Sequence, residues 1–258
     1  MTNNLLVAHG DGSNAIRHIG LRTTMPFYEG QCVSVLPPGE DRKTGKPHKK
    51  KRIYTVASSR AGEPDGGGDL ALCVRAVDDG VASPWLHELA AGATIELEGP
   101  AGKSMVLPED LSNDLVLIAT ATGTSTFRGF LRRLFADEGS PEAAAFSGQV
   151  LLLAGGYDEA SIAYAEEFRQ LAERAGPSRL RVELALGGAR VDDGSETTLP
   201  DKIATLAPLI REKIEGGANV YLGGLRGMVK PVEKALNAVS PIPLKDLKKA
   251  KKYASEVY

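Results

Sequence analysis

The residues with the clearest chemical potential lie between Lys51 and Ser59, where the chain reads Lys-Arg-Ile-Tyr-Thr-Val-Ala-Ser-Ser. Arg52 and Tyr54 are two residues apart, so on a β-strand both side chains project from the same face. A guanidinium offers paired donors to phosphate oxygens, and a tyrosine offers a flat ring with a polar tip. Thr55 adds a hydroxyl beside them. A flavin dinucleotide, with its diphosphate and broad ring system, would use this set; exposed decoration of a surface strand is the alternative interpretation.

Six blocks of sequence, in order from Phe27 to the C-terminus, resemble the plant-type ferredoxin–NADP⁺ reductase family. The stretch that begins at Arg52 resembles the family's flavin signature, in which serine usually stands where Thr55 is. The family has an N-terminal antiparallel β-barrel that binds FAD and a C-terminal nucleotide-binding domain. The blocks are Phe27–Gln31 with Leu36–Glu40, Arg52–Ser59, Leu72–Arg75 with Gly80–Ser83, Glu98–Lys103, Tyr221–Met228 and Tyr253–Tyr258.

The resemblance implies a role for each residue around the flavin. Arg52 binds the diphosphate, Tyr54 stacks on one face of the isoalloxazine, and Thr55 approaches flavin N5. Ser83, with the N–H groups of the helix that follows it, holds the diphosphate from the other side. Cys73 and its neighbours border the adenosine, although a buried small hydrophobic residue is the other interpretation of Cys73. The expected flavin-binding set is Arg52, Tyr54, Thr55, Cys73, Val74, Arg75, Gly80, Val81, Ala82, Ser83, Thr122 and Tyr258.

The resemblance implies catalytic roles for two of the C-terminal residues Glu256-Val-Tyr258. In the family, the last tyrosine covers the second flavin face, in the place that the nicotinamide must take. The nearby glutamate joins a proton path and orients the nicotinamide. We therefore expect Thr55, Glu256 and Tyr258 to be the catalytic residues; a frayed acidic terminus is the alternative.

The nucleotide-binding half departs from the family at three glycine-related positions. Ala119 and Ala121 replace two glycines of a phosphate-binding loop, and each adds a methyl group where a phosphate would approach. Gly223 stands where the family usually has a cysteine against the nicotinamide, so we expect an enlarged pocket. The expected contacts to the pyridine nucleotide are Thr122, Gly123, Arg190, Gly224, Leu225 and Met228.

The segment after the predicted strand that ends at Leu186 bears on the coenzyme. Relatives that choose NADP have a serine and an arginine there, where this chain has Gly187 and Gly188. Glu196 stands in place of a basic residue and Thr198 in place of a tyrosine. Since a carboxylate repels a 2′-phosphate, we expect no strong preference for NADPH over NADH.

Composition limits the class of protein. The 258 residues suit two domains, and 31 basic against 33 acidic residues give no overall attraction to nucleic acid. No apolar run is long enough for a membrane span, and the polar start Met1-Thr-Asn-Asn lacks a signal-peptide pattern, so we expect a cytoplasmic protein. Cys32 and Cys73 are far apart and unaccompanied, and the four histidines lack ligand spacing. We therefore expect neither a disulfide framework nor a metal site.

Two kinds of pattern predict a division near Asp110. Residues 1–110 have short segments broken by Gly and Pro, typical of an antiparallel barrel, with a mobile loop at 60–68 and a helix capped by Ser83. The chain begins near the family's first barrel strand, so we expect an edge strand or N-terminal residues to be lacking. Residues 111–258 alternate apolar runs with helical patterns, typical of a doubly wound, Rossmann-like parallel sheet. The predicted strands are 15–22, 32–35, 52–57, 69–74, 94–98, 115–119, 149–154, 180–186 and 219–222.

The resemblance implies an FAD-dependent oxidoreductase that passes electrons between NAD(P)H and a one-electron carrier, ferredoxin or flavodoxin. The basic runs Lys43–Arg52 and Lys245–Lys252 suit docking of an acidic carrier, and solvated surface segments would look the same. The competing hypothesis is an FAD-binding electron-transfer or regulatory subunit that has lost productive NADP(H) binding.

Overall fold

The N-terminal half of the computed structural model is built from antiparallel strands. The structure describes residues 1–8, 15–40, 45–187 and 198–257, and within these ranges this half has six strands: β1 (Asn3–Ala8), β2 (Ile16–Leu21), β3 (Cys32–Val35), β4 (Arg52–Thr55), β5 (Leu70–Arg75) and β6 (Leu97–Ala101). They form two sheets in the orders β1-β2-β5 and β4-β3-β6. A bridge between Val56 and Leu72 joins the two sheets. Their inner faces share a core that includes Ile19, Val35, Val56, Leu72 and Val74, which confirms the predicted barrel.

The C-terminal half contains a parallel sheet in the order β11-β10-β7-β8-β9. Its strands are β7 (Leu115–Thr120), β8 (Val150–Gly156), β9 (Leu180–Leu186), β10 (Asn219–Gly224) and β11 (Tyr253–Val257). The chain runs outward from β7 to β9 and then returns to the other side of β7 with β10. The direction of winding therefore switches between β7 and β10, and a crevice for ligands is expected beyond the carboxyl ends of these two strands.

Helices cover both faces of the parallel sheet, as predicted. On one face Phe127, Phe130 and Phe168 are fully buried against the sheet, and on the other Ile203 and Leu236 are. The helices are α1 (Ala82–Glu88), which belongs to the barrel, and α2 (Thr124–Phe135), α3 (Pro141–Ala145), α4 (Ala165–Ala175), α5 (Leu199–Thr205), α6 (Ala207–Glu215), α7 (Arg226–Val239) and α8 (Leu244–Lys249). Within the described ranges, no helix has both the length and the apolar character that crossing a membrane requires.

The structure contains two strands that the sequence analysis did not predict. β1 pairs with β2 in antiparallel fashion and covers the barrel edge that was expected to lack a strand. β11 pairs with β10 in parallel, so the C-terminal residues belong to the sheet rather than to a loose tail. In addition, β6 begins three residues later than predicted.

The predicted cap of α1 is wrong. The helix begins at Ala82 with Val81 as its N-cap residue and no side-chain capping bond. Ser83 lies in the first turn, where its Oγ accepts a hydrogen bond from the backbone N–H of Val77 at 3.1 Å. The hydroxyl therefore stabilises the turn before the helix, and the helix has no capping side chain.

The loop at 60–68 is anchored, contrary to the prediction of a mobile hairpin. Arg60 forms a two-point ion pair with Glu29, whose side chain is 1 % exposed. Glu63 accepts two hydrogen bonds from Arg128 on α2, at 2.7 and 2.8 Å. A short 3₁₀ turn at Pro64–Gly66 completes the loop. The first pair ties the loop to the barrel and the second ties it to the C-terminal half, which glycine content alone did not reveal.

Candidate functional site

A cavity of about 210 Å³ gathers most of the residues that were predicted to bind a flavin. It lies at the end of the barrel, beside the 3₁₀ turn Ala121–Gly123 that follows β7. Val74, which was also predicted, is fully buried in the barrel core and does not line this cavity. The predicted residues that do line it are Arg52, Tyr54, Thr55, Cys73, Arg75, Gly80, Val81, Ala82, Ser83 and Thr122.

The pairing of β3 with β4 positions the aromatic and basic side chains of the cavity. Tyr54 pairs with Val33, and Arg52 pairs with Val35 at the other end of the strand. Burial raises the pKa of Tyr54 to about 12, so the ring presents a neutral surface at physiological pH. The Arg52 guanidinium donates to the backbone carbonyl of Lys50 at 2.7 Å. This bond fixes the arginine at the mouth of the cavity.

The chemistry of this cavity suits a diphosphate joined to an aromatic ring. Arg52 and Arg75 bring two guanidinium groups to the wall, Ser83 brings a hydroxyl, and Tyr54 brings an aromatic face. Among the described residues that line it, none is a carboxylate. A cationic wall without acidic side chains favours an anionic ligand, so the residues present fit FAD.

Glu256 on β11 reaches across to the barrel and joins two halves of the molecule at the cavity. Its Oε2 accepts a hydrogen bond from Thr55 Oγ1 at 3.2 Å, and its Oε1 accepts one from Cys32 Sγ at 3.2 Å. Cys32 and Thr55 are direct cross-strand neighbours on β3 and β4. Both carboxylate oxygens are therefore held by side chains of the barrel.

Cys32 contacts two of the predicted catalytic residues, and the sequence analysis missed it. It was set aside because no second cysteine or histidine accompanies it in the sequence. Its partner Glu256 is 224 residues away, and only the register of β3 with β4 places its thiol beside Thr55. No local spacing could have shown this contact.

A second cavity, of about 960 Å³, opens at the carboxyl ends of the parallel strands. Leu225 and Met228, two of the residues predicted to contact a pyridine nucleotide, line it together with Ala121. Arg75 lines both cavities, so the two adjoin. The predicted crevice at the switch between β7 and β10 is therefore present and continues into the flavin cavity.

Three glycines pack closely where the two turns beyond β7 and β10 meet. A Cβ at Gly223 would lie 3.1 Å from the carbonyl oxygen of Gly123, and a Cβ at Gly123 would overlap the Gly223 backbone. Gly224 has φ +139 and no room for a side chain against Thr120. A side chain at Gly223 would therefore need the Gly123 turn to shift slightly, and the enlargement of the pocket by this glycine stays a prediction.

The two alanines of the loop after β7 differ in their surroundings. Ala119 is fully buried and packs in the core beneath the sheet, so the prediction that its methyl obstructs a phosphate is wrong. Ala121 lines the larger cavity and has φ 48, in the left-handed region that favours glycine. The methyl of Ala121 is therefore the one that narrows the crevice.

Gly187 and Thr198 line the larger cavity near the end of β9. Thr198 caps α5, and its hydroxyl donates to Asp201 at 2.6 Å. Four further residues of the coenzyme and flavin predictions lie outside the described residues: Gly188, Arg190, Glu196 and Tyr258.

A buried ion-pair network fastens the barrel to the parallel sheet behind the cavities. Arg128 on α2 donates to the backbone carbonyl of Ala57 at 3.0 Å, to Glu63 at 2.7 Å and to Glu167 at 2.6 Å. His18 on β2 lies 3.1 Å from the Tyr164 hydroxyl and 3.6 Å from Glu63. Burial, with the nearby charge of Arg128, lowers the pKa of His18 to about 4, so the imidazole is neutral at physiological pH.

Comparison with known proteins gives two adjacent family matches. Residues 22–105 match the oxidoreductase FAD-binding domain, and residues 117–234 match the oxidoreductase NAD-binding domain. The first match contains most of the flavin cavity. The second contains the crevice at the ends of β7 and β10.

Similar curated proteins are named ferredoxin–NADP reductase. The one from Spirulina is 32 % identical over 93 % of this chain and 85 % of its own length. The rice embryo isozyme, chloroplastic, is 33 % identical over 91 % of this chain and 67 % of its own length. The one from Picosynechococcus is 32 % identical over 88 % of this chain, which spans only 59 % of that relative.

Solved structures of the ferredoxin–NADP⁺ reductase from Plasmodium falciparum share the fold. One superposes with a TM-score of 0.75 at 21 % identity, covering 100 % of this chain and 94 % of the other. A structure of the same reductase with 2′P-AMP superposes with a TM-score of 0.77 at 20 % identity, with the same coverage.

Proposed function

The chain belongs to the ferredoxin–NADP⁺ reductase family, and on that premise we propose that it is an FAD-dependent oxidoreductase that passes electrons between NAD(P)H and a one-electron carrier. One observation carries the proposal. A cationic cavity with an aromatic wall adjoins a larger crevice at the switch point of a parallel sheet, and Glu256 reaches the boundary of the barrel from the last strand.

Side chains of the barrel would hold the cofactor. Arg52 and Ser83 serve the diphosphate, Arg75 and Cys73 border the adenosine, and the Tyr54 ring packs against the isoalloxazine. FAD supplies the conversion between a hydride, accepted as an electron pair, and single electrons released one at a time. We place the boundary between the FAD-binding and nucleotide-binding domains near residue 110, and the segment between β6 and β7 supports this division.

Glu256 and Thr55 would act on the nicotinamide side of the site. The Thr55 hydroxyl donates to the Glu256 carboxylate, so the pair can hold a proton and orient an amide of the coenzyme. Tyr258, two residues further on, would cover the flavin until the nicotinamide takes its place. The close backbone packing of Gly123 and Gly223 would hold the turns after β7 and β10 together beside the coenzyme.

The electron carrier proposed for this chain is ferredoxin, which the names of its relatives contain. If the carrier is acidic, basic side chains near the flavin cavity would steer it. Lys49 and Lys50 are exposed just before β4, and the backbone carbonyl of Lys50 accepts a hydrogen bond from the Arg52 guanidinium. This loop therefore lies directly beside the proposed diphosphate site.

Two measurements test the proposed function. Extraction and chromatography of the cofactor is expected to give FAD, because Arg52 and Ser83 both serve a diphosphate that FMN lacks; recovery of FMN alone would refute the assignment. Reduction of cytochrome c by NAD(P)H is expected to depend on added ferredoxin. Protein that contains its full complement of FAD but gives no such reduction, with any ferredoxin or with ferricyanide, would favour the non-catalytic subunit.

A further inference from the structure

We propose that Cys32 is a positioning residue for the Glu256 carboxylate, an inference that rests on the proposed function of the site. The thiol donates to Oε1 at 3.2 Å, while the Thr55 hydroxyl donates to Oε2 at 3.2 Å. The two donors are adjacent across β3 and β4, with Sγ and Oγ1 separated by 3.6 Å. The barrel thus presents a matched pair of donors to the two oxygens of one carboxylate.

The thiol is fixed in its protonated form. Burial raises the pKa of Cys32 to about 12, and the negative charge of Glu256 acts in the same direction. At physiological pH, Cys32 is therefore a neutral S–H donor. Since the thiolate is the nucleophilic form, the same burial lowers the reactivity of this sulfur.

The position of Glu256 explains why a second donor matters. The residue lies on β11, at the edge of the parallel sheet, and its side chain must cross to the barrel to reach Thr55. A glutamate held at one oxygen can still rotate about its terminal bond, whereas two donors at two oxygens fix the plane of the carboxylate. Thr55, which lines the cavity, supplies one of these donors, and Cys32 supplies the other.

A purely structural role for Cys32 predicts different behaviour. The residue is 6 % exposed, so a small apolar residue would fill the same space. In that case alanine would leave a small gap in the barrel, whatever residue stands at position 256. The two roles differ in whether the effect of replacing Cys32 depends on the presence of Glu256.

The first test is spectroscopic and needs no turnover. Infrared difference spectra of the FAD-loaded wild type and Cys32→Ala isolate the S–H stretching band of Cys32 from that of Cys73. Because donation to a carboxylate weakens the S–H bond, this band should lie at a lower frequency in the wild type than in Glu256→Ala. An unchanged frequency in Glu256→Ala would overturn the proposal.

The second test is a double-mutant cycle on the rate of flavin reduction by NAD(P)H. Cys32→Ala should slow the reduction about tenfold at full FAD occupancy, and Cys32→Ser, which keeps a donor, should recover most of the rate. In the Glu256→Ala background, Cys32→Ala should have no further effect. Ser34→Ala, two residues along the same strand, is the matched control and should behave like the wild type.

The outcomes separate this inference from the proposed function. A wild type that binds FAD but is not reduced by either coenzyme would refute the function itself. Three outcomes would refute the positioning role alone, given a wild type that is reduced normally. Flavin reduction in Cys32→Ala could be as fast as in the wild type, or Cys32→Ser could be as slow as Cys32→Ala. Cys32→Ala could also slow flavin reduction by the same factor in the Glu256→Ala background.

Discussion

At the scale of single residues, the site depends on a few side chains that were recognisable from their types and on others that were not. Arg52, Tyr54 and Thr55 were predicted from their spacing on one strand, and they line one cavity. Cys32 was not predicted, because its contacts come from strand register and from a residue at the far end of the chain. Sequence patterns within one element can thus be interpreted directly, whereas contacts between distant elements require the fold.

Replacement of Arg52 tests the diphosphate site. Arg52→Ala should weaken FAD binding about tenfold or more, because one charge-assisted hydrogen bond contributes roughly 1.5–3 kcal/mol. The dissociation constant is measured by fluorescence during titration of the apoprotein with FAD. Arg22→Ala, at the end of β2, serves as the control, and equal affinities for the two variants would contradict the assignment of Arg52.

His18 should make stability depend on pH. Its pKa is about 4 in the folded protein and about 6.5 in the unfolded chain, so between these values the unfolded state binds more protons. Stability from this group is present above pH 6.5 and is lost as the pH falls towards 4, by up to about 3 kcal/mol. Urea unfolding from pH 7 to 4.5 should show a flatter profile for His18→Gln than for the wild type.

A matched control for this profile is His48→Gln, in the loop before β4. Its unfolding free energy should follow the wild-type dependence on pH. Parallel curves for His18→Gln and the wild type would show that His18 does not resist protonation in the buried Arg128 network.

At the scale of elements, the apolar runs of the parallel sheet were the easiest to predict. β7, β8 and β10 are continuous and almost wholly buried, so composition alone marks them, and β9 is a partly exposed edge strand that its apolar positions still marked. β1 and β11 are partly exposed edge strands that carry polar residues, and their patterns do not differ from those of loops. The cap of α1 was wrong because Ser83 is used by the preceding turn.

The turn after β7 offers a direct test of the altered glycine loop. Ala121 has φ 48, a conformation that costs a non-glycine residue roughly 1 kcal/mol, and its methyl lines the larger cavity. Ala121→Gly should raise the free energy of unfolding by up to about 1 kcal/mol and tighten binding of the pyridine nucleotide. Chemical denaturation and coenzyme titration measure the two effects.

Ala119→Gly is the contrasting variant at this turn. Ala119 is fully buried in β7, so removal of its methyl should destabilise the protein and leave coenzyme affinity unchanged. If Ala119→Gly tightened coenzyme binding as much as Ala121→Gly, the assignment of the obstruction to Ala121 would be contradicted.

The end of β9 bears on the choice of coenzyme. Among the described residues that line the larger cavity, Arg75 is the one cation, and it lies on the barrel side. A 2′-phosphate normally needs paired cations, and Gly187 and Thr198 offer none. Steady-state kinetics should therefore give no strong preference for NADPH; a kcat/KM ratio above about a hundred in favour of NADPH would contradict this expectation.

At the scale of the whole molecule, polar contacts between the described residues of the two halves include two groups that lie close to the cavities. The Arg128 network links α2 to the barrel loop through Glu63 and to α4 through Glu167, and Glu256 links the last strand to β3 and β4. The resemblance predicted both folds and their order along the chain. It did not predict the buried ion pairs. Their members lie tens of residues apart in the sequence, and each is a charged residue of a type that usually lies at the surface.

Charge reversal on the basic loop tests where the carrier docks. The double variant Lys49→Glu, Lys50→Glu should lower kcat/KM for ferredoxin several-fold at low ionic strength, and the difference should shrink as salt screens the charges. Reduction of ferricyanide should be unaffected. Lys234 is exposed on α7, and Lys234→Glu is the control. An equally large decrease in kcat/KM for this variant would contradict docking at the loop before β4.

The most direct test of the whole account is anaerobic mixing of the FAD-loaded protein with NADPH and with NADH, followed by absorbance of the flavin. A pyridine nucleotide should reduce the flavin and bleach its visible bands, because the coenzyme crevice adjoins the flavin cavity and Glu256 contacts Thr55 on the wall of that cavity. Full FAD occupancy with no bleaching by either coenzyme would contradict it.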